Sequence, residues 1–466
     1  MLIDQIRDEF AKLESEIDEG PIVPHVTAAE IRSHLGSRYA FKQSTPLEEV
    51  TADVEDMLRN WQVQVTHPRY FGLYNPSVTA AGVVADTLVA MFNPQLANWH
   101  TSPAANEIER HTLGWLAAKF GFPQDSIATF TSGGMEANLS AVVVALTRVF
   151  PEYGENGLRS LSGEPAIYLT AEAHHGFNKI AHMAGLGRRS LRVVETDSDL
   201  MMNVDELSRR VEEDRSAGFL PFMVVGNAGT TAAGVIDPLP AIGAFCNENG
   251  LWFHADAAWG GAAVISPLLR HHLAGIELAD SITCDAHKWL SVPMGAGMFF
   301  CRHRDSVAQA FRSDITYMPG KAGPQLGDSE VTFDPLTHSA QWSRRFIGLK
   351  LFMTLAERGE DGYAEMIEHQ ARMGDLLRDR LIASGWRIVN STPLPVICFT
   401  RDGLAPTALL AELRERQIAW MSETTLGGTP VIRACITSFK TTGQNIEFVV
   451  NEMNELFSNR MHRKTA

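Results

Sequence analysis

Phe253-His-Ala-Asp-Ala-Ala-Trp-Gly-Gly261 and Ser281-Ile-Thr-Cys-Asp-Ala-His-Lys-Trp289 are two apolar, strand-like runs, each ending in a turn of small and polar residues. The first ends on a carboxylate, Asp256, and the second leads into a lysine, Lys288. They belong to a longer pattern. From about Ala81 to Cys301, β-rich runs at Ala128-Thr-Phe-Thr, Ala166-Ile-Tyr-Leu-Thr, Leu191-Arg-Val-Val, Phe222-Met-Val-Val-Gly, Leu251-Trp-Phe-His-Ala, Ser281-Ile-Thr-Cys and Ala296-Gly-Met-Phe-Phe alternate with helical segments. Such alternation predicts an α/β domain of crossover units, with a large, mostly parallel seven-stranded sheet covered by helices on both faces. Ligands of such sheets sit at the carboxyl ends of the strands, where Asp256 and Lys288 fall.

Outward from this centre the pattern changes. Leu2, Ile3, Ile6, Phe10, Leu13 and Ile17 recur at three- and four-residue steps, which predicts an amphipathic first helix ended by Gly20-Pro21. The proline-punctuated stretch that follows, to Arg69, reads as part of an N-terminal helical arm that could lie across a partner subunit. Between Ser313 and Asp334 the chain turns to Pro, Gly, Lys, Asp and Ser, a run long enough to read as a mobile functional loop. Beyond it, helices are expected over Arg345–Arg358, Gly362–Ser384, Ala405–Arg416 and Gln444–Phe457, with strands at Val396-Ile-Cys-Phe-Thr and Val431-Ile-Arg-Ala-Cys-Ile. The expected division is an N-terminal arm over 1–80, a large cofactor-binding domain over 81–345 and a small C-terminal α+β domain over 346–466.

Bulk properties narrow the function. With 40 basic against 55 acidic side chains and a net charge of −15, the chain has no basic surplus for nucleic acid or an anionic membrane surface. Its first twenty residues carry Asp4, Arg7, Asp8, Glu9, Lys12, Glu14, Glu16 and Asp18, and apolar runs such as Ala141 to Leu146 are too short to span a bilayer. Cys246, Cys284, Cys301, Cys398 and Cys435 show neither paired nor metal-ligand spacing, which fits reduced core thiols and a cytoplasmic location. The histidines lack ligand spacing with cysteines or carboxylates, so no metal is implied.

A lysine and a carboxylate at one sheet edge suit pyridoxal phosphate, PLP. The lysine amine holds the cofactor, and a buried acid keeps its pyridine nitrogen protonated so that the ring can take up electrons. Thr131-Ser132-Gly133-Gly134 follows a strand and opens a helix, a plausible seat for a phosphate, although such a turn by itself is common. Glu172-Ala-His174-His175-Gly176 brings imidazoles to the same edge, and one could stack on a ring. Asn227-Ala-Gly-Thr-Thr231 offers amide and hydroxyl groups near a ring oxygen. Each of these would otherwise pass for a cap or an ordinary polar loop. The chain lacks a Walker-type motif and a clear Gly-x-Gly-x-x-Gly fingerprint.

Asp256-Ala-Ala-Trp-Gly, Asp285-Ala-His-Lys-Trp289, Ala173-His174 and Ser132-Gly-Gly-Met-Glu-Ala137 together resemble the group II PLP-dependent amino acid decarboxylases, which include aromatic-L-amino-acid and glutamate decarboxylases. The similarity extends to His67-Pro-Arg-Tyr-Phe71, to Ser102-Pro-Ala104 with Glu107 and Glu109, to Ser343-Arg-Arg345 and to Val431-Ile-Arg433. It implies a fold type I, aspartate aminotransferase-like architecture and a homodimer with shared active sites. It also implies Lys288 as the cofactor's covalent anchor, Asp256 as the pyridinium partner, Ala258 beneath the ring and His174 above it. His287 and the backbones of Gly133 and Gly134 would lie at the phosphate, with Ser132, Asn227 and Asp285 close by. Arg433 would hold the substrate carboxylate, with Tyr74, Asn75, Pro76, Ser77 and Ala97 around the substrate. Tyr317, on the 313–334 loop, would cross to the neighbouring subunit's site and reprotonate the product. A family tyrosine at this place favours plain decarboxylation over oxidative aldehyde formation.

Two departures from the family pattern affect these expectations. Asp285-Ala286 stands where many members have Asn-Pro, which alters the phosphate surroundings. Asn75, Gln95 and Ala97 stand where the aromatic decarboxylases carry bulkier apolar residues, so the pocket should be roomier or more polar. The expected activity is release of CO2 from an L-amino acid, foremost an aromatic one. The alternatives are an acidic substrate (glutamate, aspartate or cysteine sulfinate), 2,4-diaminobutyrate, an aldehyde synthase or lyase of the same fold, or a degenerate cofactor-binding protein.

Overall fold

The computed structural model describes residues 2–75, 77–312 and 334–465. The strands among the described residues are β1 (Gln95–Leu96), β2 (Ile127–Thr131), β3 (Glu164–Thr170), β4 (Leu191–Val194), β5 (Phe219–Asn227), β6 (Trp252–Asp256), β7 (Ser281–Asp285), β8 (Gly297–Cys301), β9 (Arg344–Arg345), β10 (Arg387–Ile388), β11 (Val396–Thr400), β12 (Ser422–Leu426) and β13 (Thr429–Cys435). The chain separates into two compact units: one of Met1–Ser77, Met373–Val389 and Ile397–Ala466, the other of Val78–Arg372 and Asn390–Val396.

The larger unit is built on the expected seven-stranded sheet, ordered β2-β8-β7-β6-β5-β3-β4. β8 pairs antiparallel with both β2 and β7, while the pairings from β7 through β4 are parallel. Every residue of β6, β7 and β8 is buried, as sheets covered on both faces require. Both coverings can be traced from β5. Val225 packs in a cluster with Ala137, Ala141, Val144 and Ala145 of the helix Gly134–Val149. Its neighbour Gly226 points to the opposite face, where an added Cβ would meet Leu239 and Ile242 of the helix Leu239–Asn249 at 3.2 and 3.3 Å.

The other unit contains a four-stranded sheet ordered β10-β11-β13-β12. Its core joins Ile397 and Phe399 of β11, Ile432 and Ala434 of β13, and Leu409, Leu413, Val449 and Met453 of the helices Pro406–Glu415 and Gly443–Thr465. Phe71 belongs to the same core, and its N–H donates to the Trp420 carbonyl.

Several elements differ from their expected form. The stretch before Arg69 contains two further helices, Ala28–Arg38 and Leu47–Asn60, and the first opens on a reciprocal Thr27–Glu30 capping box. β12 has no counterpart in the sequence reading. Its residues are polar, and it turns into β13 through Gly427 and Gly428, both at positive φ, a two-residue hairpin of the kind glycine allows. Arg344–Arg345 pairs with Gln95–Leu96 as β9 rather than opening a helix. The two helices expected after it are present within Leu349–Ala383, separated where Gly359 leaves the helical backbone at φ +67°. The expected functional loop, with Tyr317, and also Pro76 lie outside the described residues.

Glu109 and Arg344, in segments the resemblance connects with the substrate side and the hinge, form a buried ion pair inside the larger unit. Arg344 reaches the two carboxylate oxygens at 3.0 and 2.5 Å, and the Gly348 N–H adds a third donor at 2.9 Å. Removing one partner of such a pair leaves a buried charge uncompensated, at a cost of about 3–5 kcal/mol. Glu109→Ala should therefore lower the urea midpoint of unfolding clearly. An unchanged midpoint would mean that water reaches Arg344.

Candidate active site

Four side chains at the carboxyl edge of the large sheet define the centre of the site. Asp256 ends β6 and Asp285 ends β7. Because His254 pairs with Ser281 and Asp256 with Thr283, the side-chain alternation puts Asp256 and Asp285 on one face of the sheet. That face is the one covered by the helix Gly134–Val149, since Val225 pairs with His254. Lys288 lies three residues past β7, its Nζ 2.9 Å from Asp285 Oδ2. His174, in the loop after β3, lies within electrostatic reach of Asp256, Lys288 and Asp285.

Each group is held in a defined state. Asp256 is buried; its Oδ1 accepts from the Ala258 N–H at 3.1 Å and its Oδ2 from Asn138 Nδ2 at 2.9 Å. For Lys288, burial works against the charged amine, but the Asp285 carboxylate outweighs it and holds the amine pKa above its usual value. Asp285 Oδ1 is buried with no hydrogen-bond partner among the described residues. Burial lowers the His174 pKa, and His174 Nδ1 accepts the Gly176 N–H at 3.1 Å, so the neutral ring carries its proton on Nε2. His287 is set in the same way: burial lowers its pKa, and its Nδ1 accepts the Ala296 N–H at 3.0 Å.

The Gly-Gly turn is closely fitted against this group. A Cβ on Gly134 would come within 2.8 Å of Asp285 Oδ2, and one on Gly133 would lie 3.6 Å from His287 Cε1. A side chain at Gly134 would collide with Asp285, whereas one at Gly133 would make only an ordinary contact, and together the two glycines leave the start of the sixteen-residue helix open to an anion. Ser132 is engaged elsewhere: its N–H and hydroxyl both donate to Glu136 Oε2, at 2.8 and 2.6 Å. Asn227, alongside Asp256 on β5, spends its side-chain nitrogen on the buried Asp237 at 2.7 Å. Burial raises the Asp237 pKa to about 6.

The remaining expected site residues are found as follows. Ala97 is buried in the larger unit, and its carbonyl accepts the Leu336 N–H. In the other unit, Arg433 is buried, donates to the Gly72 carbonyl at 3.1 Å and lies 5.0 Å over the Tyr74 ring. Asn75 Oδ1 is 3.5 Å from Tyr70 Oη, and Ser77 Oγ donates to the Thr66 carbonyl at 2.7 Å. Asn138, His254, Ser281 and Trp252, which lead into Asp256, were not picked out from the sequence. Their signal was polar residues inside otherwise apolar, buried runs.

An amine, an anchored carboxylate, a helix start stripped of side chains and a neutral imidazole match what PLP requires of its holder. The family comparison agrees: residues 34–401 match the pyridoxal-dependent decarboxylase conserved domain. The chain belongs to that family. This pyridoxal-dependent decarboxylase is 28% identical over 465 residues to an aromatic-L-amino-acid decarboxylase of Bacillus atrophaeus, covering 97% of this chain and 93% of the relative. It is 32% identical over 350 residues to an L-aspartate decarboxylase of Metarhizium robertsii, covering 74% and 68%. Its fold matches the crystal structure of Catharanthus roseus tryptophan decarboxylase in complex with L-tryptophan, with a TM-score of 0.88, 22% identity and coverage of 98% and 97%. The fold is therefore that of the PLP-dependent decarboxylases, the cofactor is PLP and the chain is an amino acid decarboxylase. Among the described residues no helix is long and apolar enough to cross a membrane, and no cluster of three or more His, Cys, Asp or Glu could hold a metal.

Were Lys288 the amine that holds PLP, the Lys288–Asp285 pair would make cofactor loading pH-dependent, because Asp285 favours the charged form of the amine. Asp285→Asn should move the pH midpoint of PLP capture, followed by the visible absorbance of the bound cofactor, to lower pH. A midpoint that stays in place would show that Asp285 does not govern the amine.

Proposed function

We propose that this decarboxylase removes the α-carboxylate of an aromatic L-amino acid, releasing the amine and CO2. The observation that carries the reading is an anchored Asp256 within electrostatic reach of the Lys288 amine, at the ends of adjacent strands. When bound, PLP supplies an electron sink for the pair left by the breaking carbon–carbon bond. Lys288 is its covalent anchor. Asp256 keeps a proton on the ring nitrogen, and each pKa unit of that pairing is worth about 1.4 kcal/mol. Gly133 and Gly134 would present N–H groups to the phosphate, with Ser132, Asp285 and His287 beside it. His174 and Ala258 would hold the ring between them, with Asn227 near its oxygen.

For the substrate, the reading takes over Arg433 for the carboxylate and Tyr74, Asn75, Pro76, Ser77 and Ala97 for the side chain from the family resemblance, a positioning role. Tyr317, from the neighbouring subunit, returns a proton to the α carbon, so that a carbon–hydrogen bond replaces the broken one. The working form is then a cytoplasmic homodimer, the simplest closed assembly that lets Tyr317 serve a neighbour and covers the amphipathic first helix.

The aromatic preference rests on relatives such as the Bacillus enzyme. A second reading, an acidic substrate, is favoured by the higher identity to the L-aspartate decarboxylase. Incubating the holoenzyme with the twenty amino acids, dihydroxyphenylalanine and diaminobutyrate while recording CO2 decides between them; release from aspartate or glutamate alone would overturn the aromatic assignment. Lys288→Ala should lose both the visible absorbance of the bound cofactor and activity. Asp256→Asn should still bind cofactor but turn over at least about a hundredfold more slowly, near 2.7 kcal/mol of transition-state stabilisation. Tyr317→Phe should yield aldehyde alongside amine, and amine alone would remove Tyr317 from the proton-return step.

A further inference from the structure

The groups leading into Asp256 share one hydrogen-bond polarity. The Trp252 indole N–H can only donate, and it meets Ser281 Oγ at 2.8 Å. Ser281 Oγ lies 2.8 Å from His254 Nδ1, and with the ring proton on Nε2 the hydroxyl gives its own proton to that nitrogen. His254 Nε2 lies 3.0 Å from Asn138 Oδ1, and Asn138 Nδ2 donates to Asp256 Oδ2. An ionised carboxylate only accepts, which fixes the amide with its nitrogen toward Asp256 and its oxygen toward His254. His254 is fully buried, and burial pushes its pKa down to about 4, so the ring is neutral with its proton on Nε2.

We propose that Trp252, Ser281, His254 and Asn138 form a directed hydrogen-bond wire that aims Asp256 and turns a donor toward it, with His254 as its central positioning residue. The proposal rests on the assignment of Asp256 to the cofactor's ring nitrogen. Every dipole in the wire turns its positive end toward the carboxylate, and such chains polarise one another in a dry interior. The direction is set by the ring proton on Nε2, because the Ser281 oxygen, with two lone pairs, would equally accept from both the indole and a protonated Nδ1. A strand that only needed filling would carry an aliphatic residue at 254, like the register partner Val225 on β5. Four buried polar groups instead carry a desolvation cost that apolar packing would avoid.

The first test needs no variant. Histidine 15N resonances of the wild-type protein, with and without cofactor, should show His254 as the Nε2–H tautomer down to pH 5; an Nδ1–H tautomer or a protonated ring overturns the wire. The second test uses holoenzyme reconstituted with cofactor 15N-labelled at the ring nitrogen. His254→Phe should shift that resonance toward the unprotonated form and weaken cofactor binding about tenfold. His254→Gln, whose amide nitrogen reaches the Nε2 position and still donates to Asn138, should restore most of both. Phe and Gln variants with the same resonance overturn the donor role of His254. Failure of the underlying assignment looks different, because Asp256→Asn would then leave the resonance unmoved.

Discussion

A carboxylate taken out of water must find directed donors in place of its hydration, and the larger unit is arranged around that constraint at Asp256. It has two, the Ala258 N–H and the Asn138 amide. The sheet provides the rigid base for this: Asp256 ends a strand buried along its whole length and bordered by two parallel neighbours, so its backbone has little freedom.

The lysine is governed differently. Lys288 stands outside the strand, on the turn after β7, and its companion Asp285 is the last strand residue. One acid of the site is thus satisfied by neutral donors and the other by a cation. This asymmetry gives two neighbouring carboxylates different surroundings, one hydrogen-bonded by neutral groups and the other ion-paired. Asp285 also lies close to Gly134, so the amine and the Gly-Gly turn share one crowded corner.

The strands of the large sheet were legible because they are short, apolar and bounded by small residues, and the positions of Asp256 and Lys288 followed from their ends. His254 lay in the first quoted stretch yet carried no message there. Its meaning depends on Ser281 as its register partner and on Asn138 from the helix Gly134–Val149, pairings of high sequence separation that local patterning does not encode. The helix Ala28–Arg38 had a readable signal in Thr27-x-x-Glu30, but the surrounding prolines and glycines masked it. β12 was hidden by its half-exposed, polar composition. The substrate-side residues were reached through family likeness, because a pocket's shape is written in side chains brought from distant places in the chain.

The helix Gly134–Val149 begins at the anion cradle and carries Asn138 one turn later. A helix advances about 1.5 Å and rotates about 100° per residue, so those four positions work as a caliper with jaws about 6 Å apart along its axis. One jaw is the Gly-Gly turn packed against Asp285 and the other is the amide that donates to Asp256. Inserting or deleting a single residue between them would swing the amide to another side of the cylinder, so drift in this segment can change its letters but not its count.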